Sequence, residues 1–223
     1  MARFNLNKGD RFNLSKDGNG LEKIRVDLSW NSDADLDAEA FLLGKEGIIV
    51  EDADLVFYNS EKRAPIIQEG ESEEAYFNRI ADTPFNRDTF GSKTNWKNST
   101  APLSFDESVV GSFDDLGSDD EEESSETIRV NLSKVRAGIE EIVFSVTIHG
   151  DKETFKDVKD AKVVITNIEN GEELCSYVLN EQFSTETAVV VGKLKLNDDG
   201  EWEFEAMGDG YDGGLQTLID IYA

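Results

Sequence analysis

Asp33, Asp35 and Asp37 occupy every second position of WNSDADLDAEAF, residues 30 to 41, directly after the alternating apolar run IRVDLSW. Like charges at that spacing disfavour one another's ionisation in any compact structure, and a bound cation removes the conflict. A second cluster follows in EDADLVFYN, where Asp52 and Asp54 again alternate. The first cluster has the opening of a D-x-D-x-D-G calcium loop, but its sixth position is Ala38 and its twelfth is Gly44, so an EF-hand is excluded. Oxygen ligands in surplus suit calcium better than zinc, which favours Cys and His, and better than magnesium, which demands a stricter geometry. The competing reading is an acidic surface that holds no specific metal.

Strands must position these carboxylates. Ile24, Val26, Leu28 and Trp30 recur with period two, as do Ile142, Phe144, Val146 and Ile148. The same pattern predicts strands at 55–58, 127–132, 161–168, 174–179, 188–196 and 201–207, with Asn170-Gly171 and Asp199-Gly200 as hairpin turns. Residues 33–41 read as an acidic strand-to-loop segment. A helix is expected in GGLQTLIDIYA, where Leu215, Leu218 and Ile219 follow a glycine pair at helical spacing. Many short strands and few helices predict a mainly β fold, a two-sheet sandwich. Loops at one end of such a sandwich converge, so both aspartate clusters are expected to meet there. Residues 60–126 break the rhythm and end in the acidic run FDDLGSDDEEESSE; small elements of their own, or an excursion from the sandwich, are expected. Taken alone, such a charge run reads first as a solvated face.

The chain carries 22 Lys plus Arg against 48 Asp plus Glu, a net charge of -26, which repels nucleic acid and anionic membrane surfaces. No apolar stretch reaches the length of a signal peptide core or a membrane span, so a cytoplasmic protein with no membrane insertion is expected. The single cysteine, Cys175, lies in an alternating stretch and reads as a packed strand residue. His149, the one histidine, has no nucleophile motif for company. GDGYDGGL, 208–215, lacks the Lys-Ser/Thr ending of a phosphate loop and reads as turns before the last helix.

Taken in order, KGDRFNLSK, IRVDLSWN, DADLDAEAFLLG, DADLVFYN, TIRVNLSKV, IVFSVTIHG, FSTETAVVVGKL, EWEFEAMGDGYDGGL and IYA resemble the TerD family of tellurite-resistance and bacterial stress proteins. The resemblance covers nearly the whole chain apart from about forty residues within 60–113, and implies one TerD-like domain over 1–223 with an insertion at about 60–113. It implies a β-sandwich that binds one or two calcium ions through acidic loops. The metal positions carried over are Asp33, Asp35, Asp37, Asp52, Asp54, Asn59, Asp115 and Glu126, with Asp114, Asp119, Asp120 and Glu121 as further candidates. Two departures stand out: Glu39 replaces the serine of the family's D-x-D-L-D-A-S-A-F block, and Ser124 and Ser125 replace carboxylates of the third acidic block.

The function expected from this reading is a calcium-binding cytoplasmic stress protein without catalytic activity, whose loops are ordered by the ion. Its expected partners are other tellurite-resistance and stress proteins, including a membrane-protein complex. Two alternatives from other classes are a metal-dependent hydrolase, since carboxylate-held ions also cleave phosphoesters and glycosides, and a calcium-dependent lectin-like binder.

Overall fold

In the chain's computed structural model the described residues are 4–14, 21–31, 34–82, 99–112, 124–150, 153–179 and 183–223. Fourteen strands are found among them: β1 Phe4–Leu6, β2 Arg11–Asn13, β3 Lys23–Trp30, β4 Leu36–Gly44, β5 Leu55–Val56, β6 Arg63–Pro65, β7 Thr100–Pro102, β8 Val109–Val110, β9 Ser124–Asn131, β10 Ile139–Ile148, β11 Lys162–Asn167, β12 Glu173–Val178, β13 Ala188–Leu196 and β14 Trp202–Tyr211. Two helices accompany them, α1 Glu73–Asp82 and α2 Gly214–Tyr222. The first sheet has the order β1-β12-β11-β3-β9-β8, the second β2-β14-β13-β10-β4-β5, and β6-β7 form a separate ribbon. The pairings are antiparallel except β1 with β12. This is the expected two-sheet sandwich.

Period-two strands do what their pattern dictates. Along β3, Ile24, Val26, Leu28 and Trp30 turn inward while Arg25 and Asp27 turn outward. They meet Ala40, Leu42, Phe144, Val146 and Val191 of the second sheet in one core. The outer face of the second sheet is covered as well: Leu218 of α2 packs over Phe41, Leu43, Val143 and Val190. The sequence reading missed β4 as a strand for this reason. A strand buried on both faces loses the alternation that would reveal it. Leu36, Ala40 and Leu42 face the core while Phe41 and Leu43 face α2.

The break at 60–126 resolves into β6, α1, β7 and β8, with Tyr76, Phe77 and Ile80 of α1 packing on Ala64, Ala101, Leu103 and Val110. The two ends of the sandwich can now be named. Trp30 pairs with Ser124, Leu36 with Ile148, and Thr147 with Ala188 at the upper end; Gly44 pairs with Ile139 and Lys23 with Asn131 at the lower end. The Trp30 indole N–H donates to the Ala34 carbonyl at 3.1 Å and fixes the arch between the sheets at the upper end.

Candidate metal centre

The upper end gathers the first aspartate cluster. Asp37, the second residue of β4, stands opposite Thr147 on the outward face, and its Oδ2 lies 3.2 Å from Nδ1 of His149. The His149 backbone N–H donates to the Asp35 carbonyl at 2.8 Å, while the Asp35 side chain is exposed. Asp33 lies outside the described residues. β5 pairs Leu55 with Phe41 and Val56 with Ala40, and the turn after it rises toward Asp37: Tyr58 meets the His149 ring edge-on at 5.8 Å. The Tyr58 carbonyl is held by the buried Arg63 guanidinium at 2.8 Å, which brings the exposed Asn59 to the same end.

One turn of the pleat below Asp37 stands Glu39, fully buried. Ser145 Oγ and Thr147 Oγ1 lie 2.6 and 2.5 Å from its two oxygens. Burial pushes its pKa up to about 8; the two hydroxyls pull it back, and the Asp37 charge adds to the rise. The sequence reading noted Glu39 only as a replacement. The period-two series Asp35, Asp37, Glu39 was the available signal, because in a strand those three share a face.

The second cluster is elsewhere. Asp52 and Asp54 sit in a 3-10 turn just before β5, so Asp54 falls near Leu42 in the register, five residues along β4 from Asp37 or roughly 17 Å at strand rise. The expected convergence of the two clusters does not occur. Asp54, expected as a metal ligand, is fully buried and filled instead: Arg136 grips it with Nη1 and Nη2 at 2.6 Å each, and the N–H groups of Glu51 and Val50 donate at 2.9 and 3.2 Å. That bond to Asp54 is the first cause holding the Arg136 pKa above its ordinary value. The guanidinium also lies 4.8 Å from the Phe105 ring. Asp52 is exposed at this lower end.

Of the third block, Glu126 is placed on β9 at the upper end, where Ser112 Oγ donates to its carboxylate. Asp114, Asp115, Asp119, Asp120 and Glu121 lie outside the described residues. Ser125 pairs with Ser29 near the upper end, while Ser112 stands beside Thr127 in the middle of the sheet. Among the described residues no three His, Cys, Asp or Glu side chains come close enough to hold an ion by themselves. Cys175 is a buried thiol whose pKa burial pushes up to about 12, which keeps it protonated.

Residues 1–76 and 100–222 match the TerD domain. The chain belongs to the TerD family. General stress protein 16U of Bacillus subtilis (strain 168) is 34% identical over 227 residues, covering 97% of this chain and 95% of that protein. The tellurium resistance protein TerD of Serratia marcescens is 30% identical over 97% of this chain and 95% of its own. In structure, the crystallised homologue of telluride resistance protein (TerD) from Streptomyces coelicolor A3(2) superposes with a TM-score of 0.51 at 19% identity, over 90% of this chain and 96% of that one, a likeness of fold. This TerD chain departs from the family match at 77–99, in the middle of α1. Among its described residues no helix is long and apolar enough to cross a membrane.

Proposed function

We propose that this TerD-family protein is a calcium-binding module of the bacterial stress response that acts in the cytoplasm by presenting an ion-ordered surface, with no reaction of its own. Membership in a family of tellurium-resistance and general stress proteins gives the setting. The observation that carries the calcium reading is the contrast between the two aspartate clusters. The lower one contains its own cation in Arg136, whereas Asp37 at the upper end meets the imidazole of His149. The proposed ligands are Asp33, Asp35, Asp37 and Asn59, completed by Glu126 and by carboxylates of the acidic run 114–121. Asp54 is left out because it is fully buried and both its oxygens bond Arg136, and Asp52 because it stands at the other end. These donors are hard oxygens, which fit calcium. Bound calcium neutralises and orders a rim that would otherwise repel itself.

A partner then reads the ordered rim, a local electrostatic change with a distant readout. Other tellurite-resistance and stress proteins, including a membrane-protein complex, are the proposed partners. Thermal melts in chelator and in excess calcium test the core of the reading. A ligand that binds only the native state adds about 2.7 kcal/mol at one hundred times its dissociation constant, which is a rise of several degrees in Tm. Identical melts in the two buffers overturn it. Saturable hydrolysis of a phosphoester or glycoside that Asp37→Asn abolishes would put the hydrolase in its place.

A further inference from the structure

The outer face of the first sheet carries a site of a different kind, which borders the acidic rim through Ser112 and Ser125. Arg25 and Asp27 of β3 and Thr127 and Arg129 of β9 project from it, and α1 lies across them. Their charges form a chain. Thr127 Oγ1 donates to Asp27 at 3.1 Å, Arg25 Nε bonds Asp27 at 2.7 Å and its Nη1 bonds Glu73 at 3.3 Å, and Glu73 of α1 accepts Nε of Arg129 at 2.8 Å. Two carboxylates are thus shared by two guanidiniums, and the chain ends on Arg129. A guanidinium has five donors. Among the described residues Arg129 spends its Nε on Glu73, and no acceptor stands on its terminal nitrogens, although its side chain is only 15% exposed. Those nitrogens keep some contact with solvent and are open to an acceptor from it.

A cavity of about 170 Å³ opens beside this guanidinium. One wall is polar, from Arg129, Thr127 and Ser125; the other is apolar, from Ile66, Ile67 and the ring of Tyr76. Tyr76 is 1% exposed. It stands near enough to Arg129 for that charge to offset part of the pKa rise that burial imposes on the phenol. The volume is close to the roughly 150 Å³ that accepts a benzene ring in an apolar protein cavity. Two walls of opposite character with one charged donor are the make-up of a small-molecule site.

We propose that this cavity binds a small organic carboxylate, its carboxyl group on the terminal nitrogens of Arg129 and its apolar body between Ile66, Ile67 and Tyr76. The guanidinium edge matches a carboxylate in plane and in charge. The net charge of -26 repels anions at a distance, so affinity comes from the contact itself. The roof of the cavity is the helix at which the chain departs from the family match.

The test is an amide NMR titration of the full chain with sodium benzoate, benzamide and inorganic phosphate as probes. Benzoate should give saturable shifts centred on residues 66–67, 76 and 125–129, with benzamide and phosphate at least about tenfold weaker, the order expected when a charge-assisted pair and an apolar contact act together. Arg129→Gln should weaken benzoate by about tenfold or more, and Tyr76→Phe by less. Arg129→Gln also breaks the contact to Glu73, so Arg25→Gln, which breaks the other one without touching the cavity, is the control and should keep benzoate affinity within about twofold. Absence of saturable shifts in the wild type, equal binding of benzamide, tighter binding of phosphate, or an Arg129→Gln protein that binds benzoate as the wild type does would each overturn the assignment.

Discussion

The two aspartate motifs of this chain look alike in sequence and are handled in opposite ways. At the lower end Asp54 is buried, accepts two backbone N–H groups and is clamped by Arg136. At the upper end Asp37 faces outward, beside His149 and above a buried Glu39 that is held by hydroxyls. One carboxylate is clamped by a guanidinium; the other meets an imidazole at the rim of the sandwich. An alternating acidic motif therefore tells that charge must be compensated, and the partner from across the fold decides by what.

The largest effect expected from this contrast is at Asp54. Removing one member of a buried pair leaves an uncompensated charge, so Asp54→Asn should cost about 3 kcal/mol or more, seen as a lower urea midpoint with unchanged slope. The loss should be the same in calcium and in chelator. Replacing both partners with apolar residues, Asp54→Leu with Arg136→Met, should recover much of it. A loss that appears only in calcium would place the ion at the lower end and dissolve the comparison.

Glu39 gives the next effect, and its sign is fixed by the direction of its shift. Its folded pKa stands at about 8 and its unfolded one in the ordinary carboxylate range, so the folded chain holds the proton that the unfolded chain releases. The stability from the neutral form is complete below the unfolded pKa and is lost as pH rises to about 8. In calcium-free buffer the wild type should therefore lose roughly 3 kcal/mol more than Glu39→Gln between pH 5 and pH 8, at about 1.4 kcal/mol per pH unit. Ser145 and Thr147 can donate or accept, so they serve either side chain. Parallel stability curves for the two proteins across that range would mean that water or an ion already solvates Glu39.

The sandwich was legible where burial is one-sided. β3 and the hairpins at Asn170-Gly171 and Asp199-Gly200 follow from alternation and turn chemistry, and α2 begins where Gly213, at φ +93, allows the turn into it. β4 was hidden because both of its faces are covered, and α1 because its packing residues Tyr76, Phe77 and Ile80 sit among charges that serve the sheet beneath. Of the candidate site, the carboxylates were legible and their fates were not. Arg136 is 82 residues from Asp54 in the chain, and nothing local marks them as partners. The register of β5 on β4, which sends the two clusters to opposite ends, is a property of pairing that a single strand does not display.

At the upper end, Asp37→Asn should cost clearly less in chelator than Asp54→Asn, because Asp37 is 13% exposed and meets the half-exposed His149, whereas Asp54 is fully buried in the grip of Arg136. It should remove most of the gain of about 2.7 kcal/mol that saturating calcium gives the wild type. Calorimetry and melts together read both quantities. A variant that melts like the wild type in both buffers would take Asp37 out of the ligand set and leave the site to Asp33 and the run 114–121.

The smallest effect belongs to Asp52, and it sharpens the contrast because the sequence ranks Asp52 beside Asp37. Both belong to short alternating acidic motifs, and both are outward-facing. Asp52 differs in place: it is exposed in the lower turn, next to a pair that Arg136 already neutralises. A solvated carboxylate of that sort acts on an ion at the far end only through a screened field, since roughly 17 Å exceeds the Debye length of about 8 Å at physiological salt. Asp52→Asn should therefore stay within about 0.5 kcal/mol of the wild type in chelator and in calcium alike, with calcium affinity changed less than about twofold. If instead Asp52→Asn weakens calcium as strongly as Asp37→Asn does, the lower turn binds an ion of its own beside Arg136, and the division between a built-in and a borrowed cation fails.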